Sequence, residues 1–74
     1  MKISFTLEDA QELFPGKTVE QFPELETLIV RGVTFAESLK LIGEQKVMVG
    51  KGYLYNSMMK SVYLSTNAHP TIFP

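Results

Sequence analysis

The chain has no cysteine and no tryptophan among its 74 residues. Without cysteine, disulfides and thiolate metal sites are excluded. There is one histidine, His69, with no acid cluster beside it, which argues against a structural zinc site and leaves no metal expected. Arginine occurs once, as Arg31. Seven basic residues and a pI near 5.7 fall short of the clustered basic footprint that genomic DNA or RNA requires. No apolar run approaches the roughly 20 residues of a membrane span, and residues 1–5 contain no signal-peptide core. The expectation is a soluble cytoplasmic protein with no membrane partner and no cofactor.

Acid is also missing from one part of the chain. All eight carboxylates lie in residues 1–44, against four bases, whereas residues 45–74 carry Lys46, Lys51 and Lys60 and no acid. A net charge of −1 therefore conceals an acidic and a basic portion. The basic portion also holds all three tyrosines, Tyr53, Tyr55 and Tyr63. Such a split suits an anionic ligand, or the acidic part of another copy.

Apolar residues make up 45% of the chain and charged residues 20%, a balance that folds rather than stays disordered. The length predicts one domain over 1–74, with 67–74 as a C-terminal tail. A core of this size supplies roughly 3–5 kcal/mol, and small domains commonly add a disulfide, a metal or a partner copy. With the first two excluded, a homo-oligomer is expected.

Alternation over 2–5 predicts a short strand. Thr6 opens a helix with Asp9 in the capping-box position, and Leu7, Ala10, Leu13 and Phe14 follow at helical spacing until Pro15-Gly16. Thr18 and Gln21 repeat the capping signal, but Pro23 follows closely, so 18–22 reads as one helical turn. The apolar run at about 26–31 reads as a buried strand in preference to a helix, the alternative it leaves open. Thr34 and Glu37 form the clearest capping box, opening a helix with a Phe35, Leu39, Ile42 stripe that stops at Gly43. Residues 46–49 read as a strand, Gly50-Lys51-Gly52 as a hairpin loop, and 53–55 as the return strand, with Tyr53 and Tyr55 on one face and Leu54 on the other. Residues 57–64 fit either a helix capped by Asn56 or Ser57, or a strand; the strand is preferred. The fold class is α+β: a small mixed or antiparallel sheet of four to five short strands with one or two helices on one face.

Catalytic chemistry finds little support. His69 has no carboxylate to orient it, and Glu8-Asp9 sit in a helical first turn, where the helix dipole accounts for them. Gly50-Lys51-Gly52 lacks the Walker spacing and runs into a strand. A non-enzymatic binding protein is expected. In the first reading, Lys46, Lys51 and Lys60 neutralise an anionic, nucleotide-like ligand while Tyr53, Tyr55 and Tyr63 stack on it. In the second, Glu20, Glu24 and Glu26 occupy a basic surface on one host protein, and Ile72 and Phe73 anchor the contact.

Two resemblances bear on these readings. Residues 6–13 resemble the first helix of an excisionase-type or MerR-type helix-turn-helix, but Glu20, Glu24 and Glu26 would stand in the recognition helix and face phosphates unfavourably. Thr34-Phe-Ala-Glu-Ser-Leu-Lys-Leu-Ile-Gly43, followed by Lys46-Val47 and Lys51-Gly-Tyr-Leu54, resembles the opening of the phage Thoeris anti-defence sponge family. That resemblance, over residues 34–54, implies a small oligomeric phage protein, acting in the host cytoplasm, that sequesters a nucleotide-derived signal without cleaving it.

Overall fold

In a computed structural model, residues 2–67 are described as four antiparallel strands in one sheet and two helices. The order along the chain is α1 (Leu7–Leu13), β1 (Thr18–Phe22), a 3-10 turn (Pro23–Leu25), β2 (Thr27–Arg31), α2 (Phe35–Gly43), β3 (Tyr53–Asn56) and β4 (Ser61–Ser65). In space the strands run β1-β2-β4-β3. Among the described residues no helix is long and apolar enough to cross a membrane.

Both helices begin where the capping boxes put them. Asp9 N–H donates to Thr6 Oγ1 at 3.1 Å, and Thr6 N–H donates back to Asp9 Oδ2 at 2.8 Å. Thr34 and Glu37 repeat the exchange at 3.2 and 2.9 Å. These bonds, led in each case by the cap-residue backbone N–H, hold both carboxyls below their ordinary values of 3.8 and 4.5; Lys2 and Lys17 lower them further.

The sheet register decides which residues meet the helices. Leu28 pairs with Leu64 and Val30 with Val62; across β4, Tyr53 pairs with Leu64 and Tyr55 with Val62. These residues share one face of the pleat. With Ala10 of α1 and Phe14 at its C-cap, Leu41 of α2, and Phe5, Val33 and Val47 from the connections, they form one hydrophobic cluster. Both helices therefore serve the same face. On α2 the buried positions are Ser38 and Leu41, with Ile42 partly covered, whereas Phe35 and Leu39 of the expected stripe are exposed. The helix is turned so that the Ser38 hydroxyl reaches Tyr53.

Three expected elements differ. Residues 18–22 are a strand, not a helical turn: β-branched Thr18 and Val19 pair with Arg31 and Val30, and that long-range ladder overrides the local Thr-x-x-Gln signal. Residues 2–5 form no strand; Phe5 N–H bonds the Ser65 carbonyl at 2.8 Å while its ring enters the core. Residues 46–49 form no strand either, apart from a single Val49–Tyr53 bridge. Lys46 N–H closes back on the Leu41 carbonyl, with Gln45 left-handed at φ 59°, as a helix-ending motif does. Gly50 and Lys51 N–H then bond Tyr53 and Met48 carbonyls, so Gly50-Lys51-Gly52 is a turn against the end of β3, not a hairpin tip. In the ambiguous 57–64 stretch, residues 57–60 form a turn and the strand starts at Ser61. Asn56 does act as a cap: its Oδ1 accepts from Met58 and Met59 N–H, both at 3.1 Å, and so tightens the turn. The expected tail lies, beyond Asn67, outside the described residues.

Two outcomes follow. Gly52 has φ +76°, and a Cβ there would drive into the Ile3 carbonyl. Gly52→Ala should therefore destabilise by about 1–3 kcal/mol in urea titration. Thr34→Ala should cost about 1 kcal/mol. Because Asp9 and Glu37 are lowered on folding, their contribution is complete above the ordinary values of 3.8 and 4.5 and is lost as pH falls through the lowered ones. The acid side of the stability–pH curve should be flatter in Thr34→Ala than in the parent.

Candidate functional site

The lysines and tyrosines of the basic segment are spread over separate parts of the molecule. Tyr53 is completely buried, and its hydroxyl shares a hydrogen bond with Ser38 Oγ beneath α2. Burial pushes that phenol above its ordinary 10.0, an effect the Ser38 bond partly offsets. Tyr55, half-buried on the same face, donates to the Val33 carbonyl at 2.8 Å, and its ring lies 5.9 Å from Phe35. Tyr63 points to the opposite face, where its hydroxyl accepts from Asn56 Nδ2 at 3.2 Å. Lys51 and Lys60 occupy exposed turns at opposite ends of the sheet. Lys46 follows α2 and pairs with Glu44 at 3.7 Å. The alternation of Tyr53, Leu54 and Tyr55 is as expected, but the tyrosine side of β3 is the helix-covered side.

Lys46 does contribute to a cleft of about 340 Å³ between the end of α1 and the flank of α2. Leu13, Phe14 and Leu41 line it, and its charged residues comprise Lys17, Lys40 and Lys46 together with Glu12, Glu37 and Glu44. Lys17 is committed twice, to Glu37 at 3.3 Å and to the Gly32 carbonyl at 2.8 Å. Three lysines facing three carboxylates leave little net field for an anion.

The acids of the second reading fall around the far side of the sheet. Glu20 ion-pairs with the Arg31 guanidinium on the face that neither helix covers. Glu24 and Glu26 flank Leu25 in the connection from β1 to β2, exposed and without an ion-pair partner among the described residues. Ile72 and Phe73 lie outside the described residues.

That uncovered face joins Glu20 and Tyr63 to Phe22, Ile29 and Leu54, which the sequence did not single out. Register places Glu20, Ile29, Tyr63 and Leu54 in one row across all four strands. Phe22 lies one pleat away, beside Thr27 and Ser65. Leu54 is 39% exposed, while Phe22, Ile29 and Tyr63 are half-buried. The signal was present in the unbroken apolar run Leu28-Ile29-Val30, since a strand apolar on both sides has two faces to cover. Among the described residues no element covers the second, and no group of acids or histidine is arranged to hold a metal.

No protein-family model, curated protein or solved structure matches this chain.

The buried Ser38–Tyr53 bond and the surface Asn56–Tyr63 bond should respond differently to removal of one hydroxyl. Tyr53→Phe leaves the Ser38 hydroxyl unpaired in the core and should cost about 1–3 kcal/mol. Tyr63→Phe, near water, should stay within about 0.5 kcal/mol. Urea midpoints of the two variants test this directly.

Proposed function

We propose that this chain is a non-enzymatic binding module that docks a protein partner on the outer face of its sheet. The observation that carries this is the cross-strand row of Ile29, Tyr63 and Leu54, with Phe22 beside it, on a face the helices leave open. An antiparallel sheet with one solvated side ordinarily alternates apolar and polar positions. Here the second side has large apolar residues at its centre, while Thr27, Ser61 and Ser65 towards its ends are buried, their hydroxyls bonded to the Leu25, Met59 and Asn67 carbonyls. Burying one such side chain contributes about 1.5–3 kcal/mol, and an aromatic in the middle of the patch fits the usual anatomy of a binding hot spot. Glu20, at the β1 end of this row, is already paired with Arg31, so the border adds no unbalanced charge.

Sequestration of a nucleotide-like anion is the second reading. It is favoured by the cleft, whose volume suits a small ligand and whose lining includes Lys17, Lys40 and Lys46. The tyrosines have structural partners and do not serve that cleft, and the three carboxylates oppose an anion there. This reading therefore stands second.

A tagged protein recovered from cell extract separates the two. Leu54→Arg and Tyr63→Arg should reduce capture of a stoichiometric protein partner at least tenfold while leaving the urea midpoint close to that of the parent. Undiminished capture by both variants overturns the outer-face assignment. A nucleotide-sized mass that accompanies the parent and is lost in Lys40→Ala/Lys46→Ala decides for the cleft.

A further inference from the structure

Two connections at opposite ends of the sheet present the same unusual combination. In the link from β1 to β2, Glu26 is held left-handed at φ 50°, next to Leu25, which is 54% exposed. In the link from β3 to β4, Lys60 is left-handed at φ 48°, next to Met58 and Met59, which are 92% and 57% exposed. Glycine or asparagine is the ordinary occupant of such a backbone position, so a long charged side chain there is retained against conformational preference. Neither Glu24, Glu26 nor Lys60 has an ion-pair partner among the described residues.

Both knuckles are tied to the rest of the fold by backbone hydrogen bonds. Glu26 N–H bonds the Pro23 carbonyl at 3.1 Å, and the Glu26 carbonyl accepts from Thr66 N–H at 2.9 Å. Asn56 Oδ1 binds two amides of the other turn, Ser61 Oγ donates to the Met59 carbonyl at 3.0 Å, and the Lys60 carbonyl accepts from Val33 N–H at 2.8 Å. The backbone of such turns loses little freedom on binding. Thr27 pairs with Ser65 and Arg31 with Ser61, so the acidic knuckle stands beyond one end of the β2–β4 pair and the basic knuckle beyond the other.

We propose that the two knuckles are complementary contacts between copies of this chain. The Glu24-Leu25-Glu26 knuckle of one copy docks on the Met58-Met59-Lys60 knuckle of the next, with Leu25 against the methionines and the carboxylates about Lys60. The occupant is a second copy because apolar side chains and opposite charges occur together on both knuckles. Because they lie at opposite ends, the contact is head-to-tail and generates a ring or an open chain, not an isologous dimer. Two three-residue knuckles cover well under the roughly 800 Å² per partner of a standard interface, so association is weak, concentration-dependent and weakened by salt. The contact does not involve the outer sheet face, and so holds or fails independently of the partner docking proposed there.

Sedimentation equilibrium from micromolar to millimolar protein tests it. The parent should show mass rising with concentration and falling with added salt. Lys60→Glu, and separately Glu24→Lys/Glu26→Lys, should each weaken association at least tenfold, and an equimolar mixture of the two should restore it through the reversed pair. Lys60→Gly removes both the charge and the backbone cost, so it should be more stable than the parent yet associate less. A parent that stays monomeric at millimolar concentration, or charge variants that associate as the parent does, overturns the proposal.

Discussion

The antiparallel register of β2 between β1 and β4 is the constraint on which the rest of the molecule depends. It aligns Leu28 with Leu64 and Val30 with Val62, and it sends Ile29, Tyr63 and Leu54 to the other side. Side chains alternate with a period of two, so a slip of one residue would exchange the two faces completely. The core would then receive Arg31 and Glu20, and the helices would lose the surface they cover. Neighbouring bonds hold the register at both ends: Ser65 N–H to the Gly52 carbonyl and Phe5 N–H to the Ser65 carbonyl at one, Val33 N–H to the Lys60 carbonyl at the other.

The proposed function rests on what this register leaves exposed. Tyr53 and Tyr55 reinforce the packing of β3 against α2 and the segment before it, through Ser38, Val33 and Phe35. They act as amphipathic core residues, each with an apolar ring inside and a hydroxyl that finds a partner. Tyr63 faces outward with Ile29 and Leu54, and the charge at that row's β1 end is already balanced by the Glu20–Arg31 pair. An apolar row with a neutralised border is better suited to a protein surface than to a phosphate.

Local and long-range signals differ in how legible they were. Both helices could be read from Thr6–Asp9 and Thr34–Glu37 because a capping box is complete within four residues. The alternation at Tyr53, Leu54 and Tyr55 was legible for the same reason. Which side of β3 the helices would cover was not, since that depends on where α2 lands, and its Ser38 lies 15 residues before Tyr53. β1 was hidden because Thr18 and Gln21 mimic a cap, and only the ladder to β2 makes a strand of them. The strand expected at 46–49 is absent because the end of α2 folds back through Gln45 and Lys46 and uses that stretch as a turn. The outer row was foreshadowed by Leu28-Ile29-Val30, but that run does not show which of its two faces the helices take.

Methyl NMR with a soluble paramagnetic probe tests the two-faced sheet most directly. In the free protein the methyls of Ile29 and Leu54 should broaden strongly, whereas those of Leu28, Val30, Val62 and Leu64 should stay sharp. If Ile29 and Leu54 are protected as well as the core methyls, the outer face is already occupied and is not an open docking surface. If Leu28 and Val30 broaden instead, the register itself is wrong.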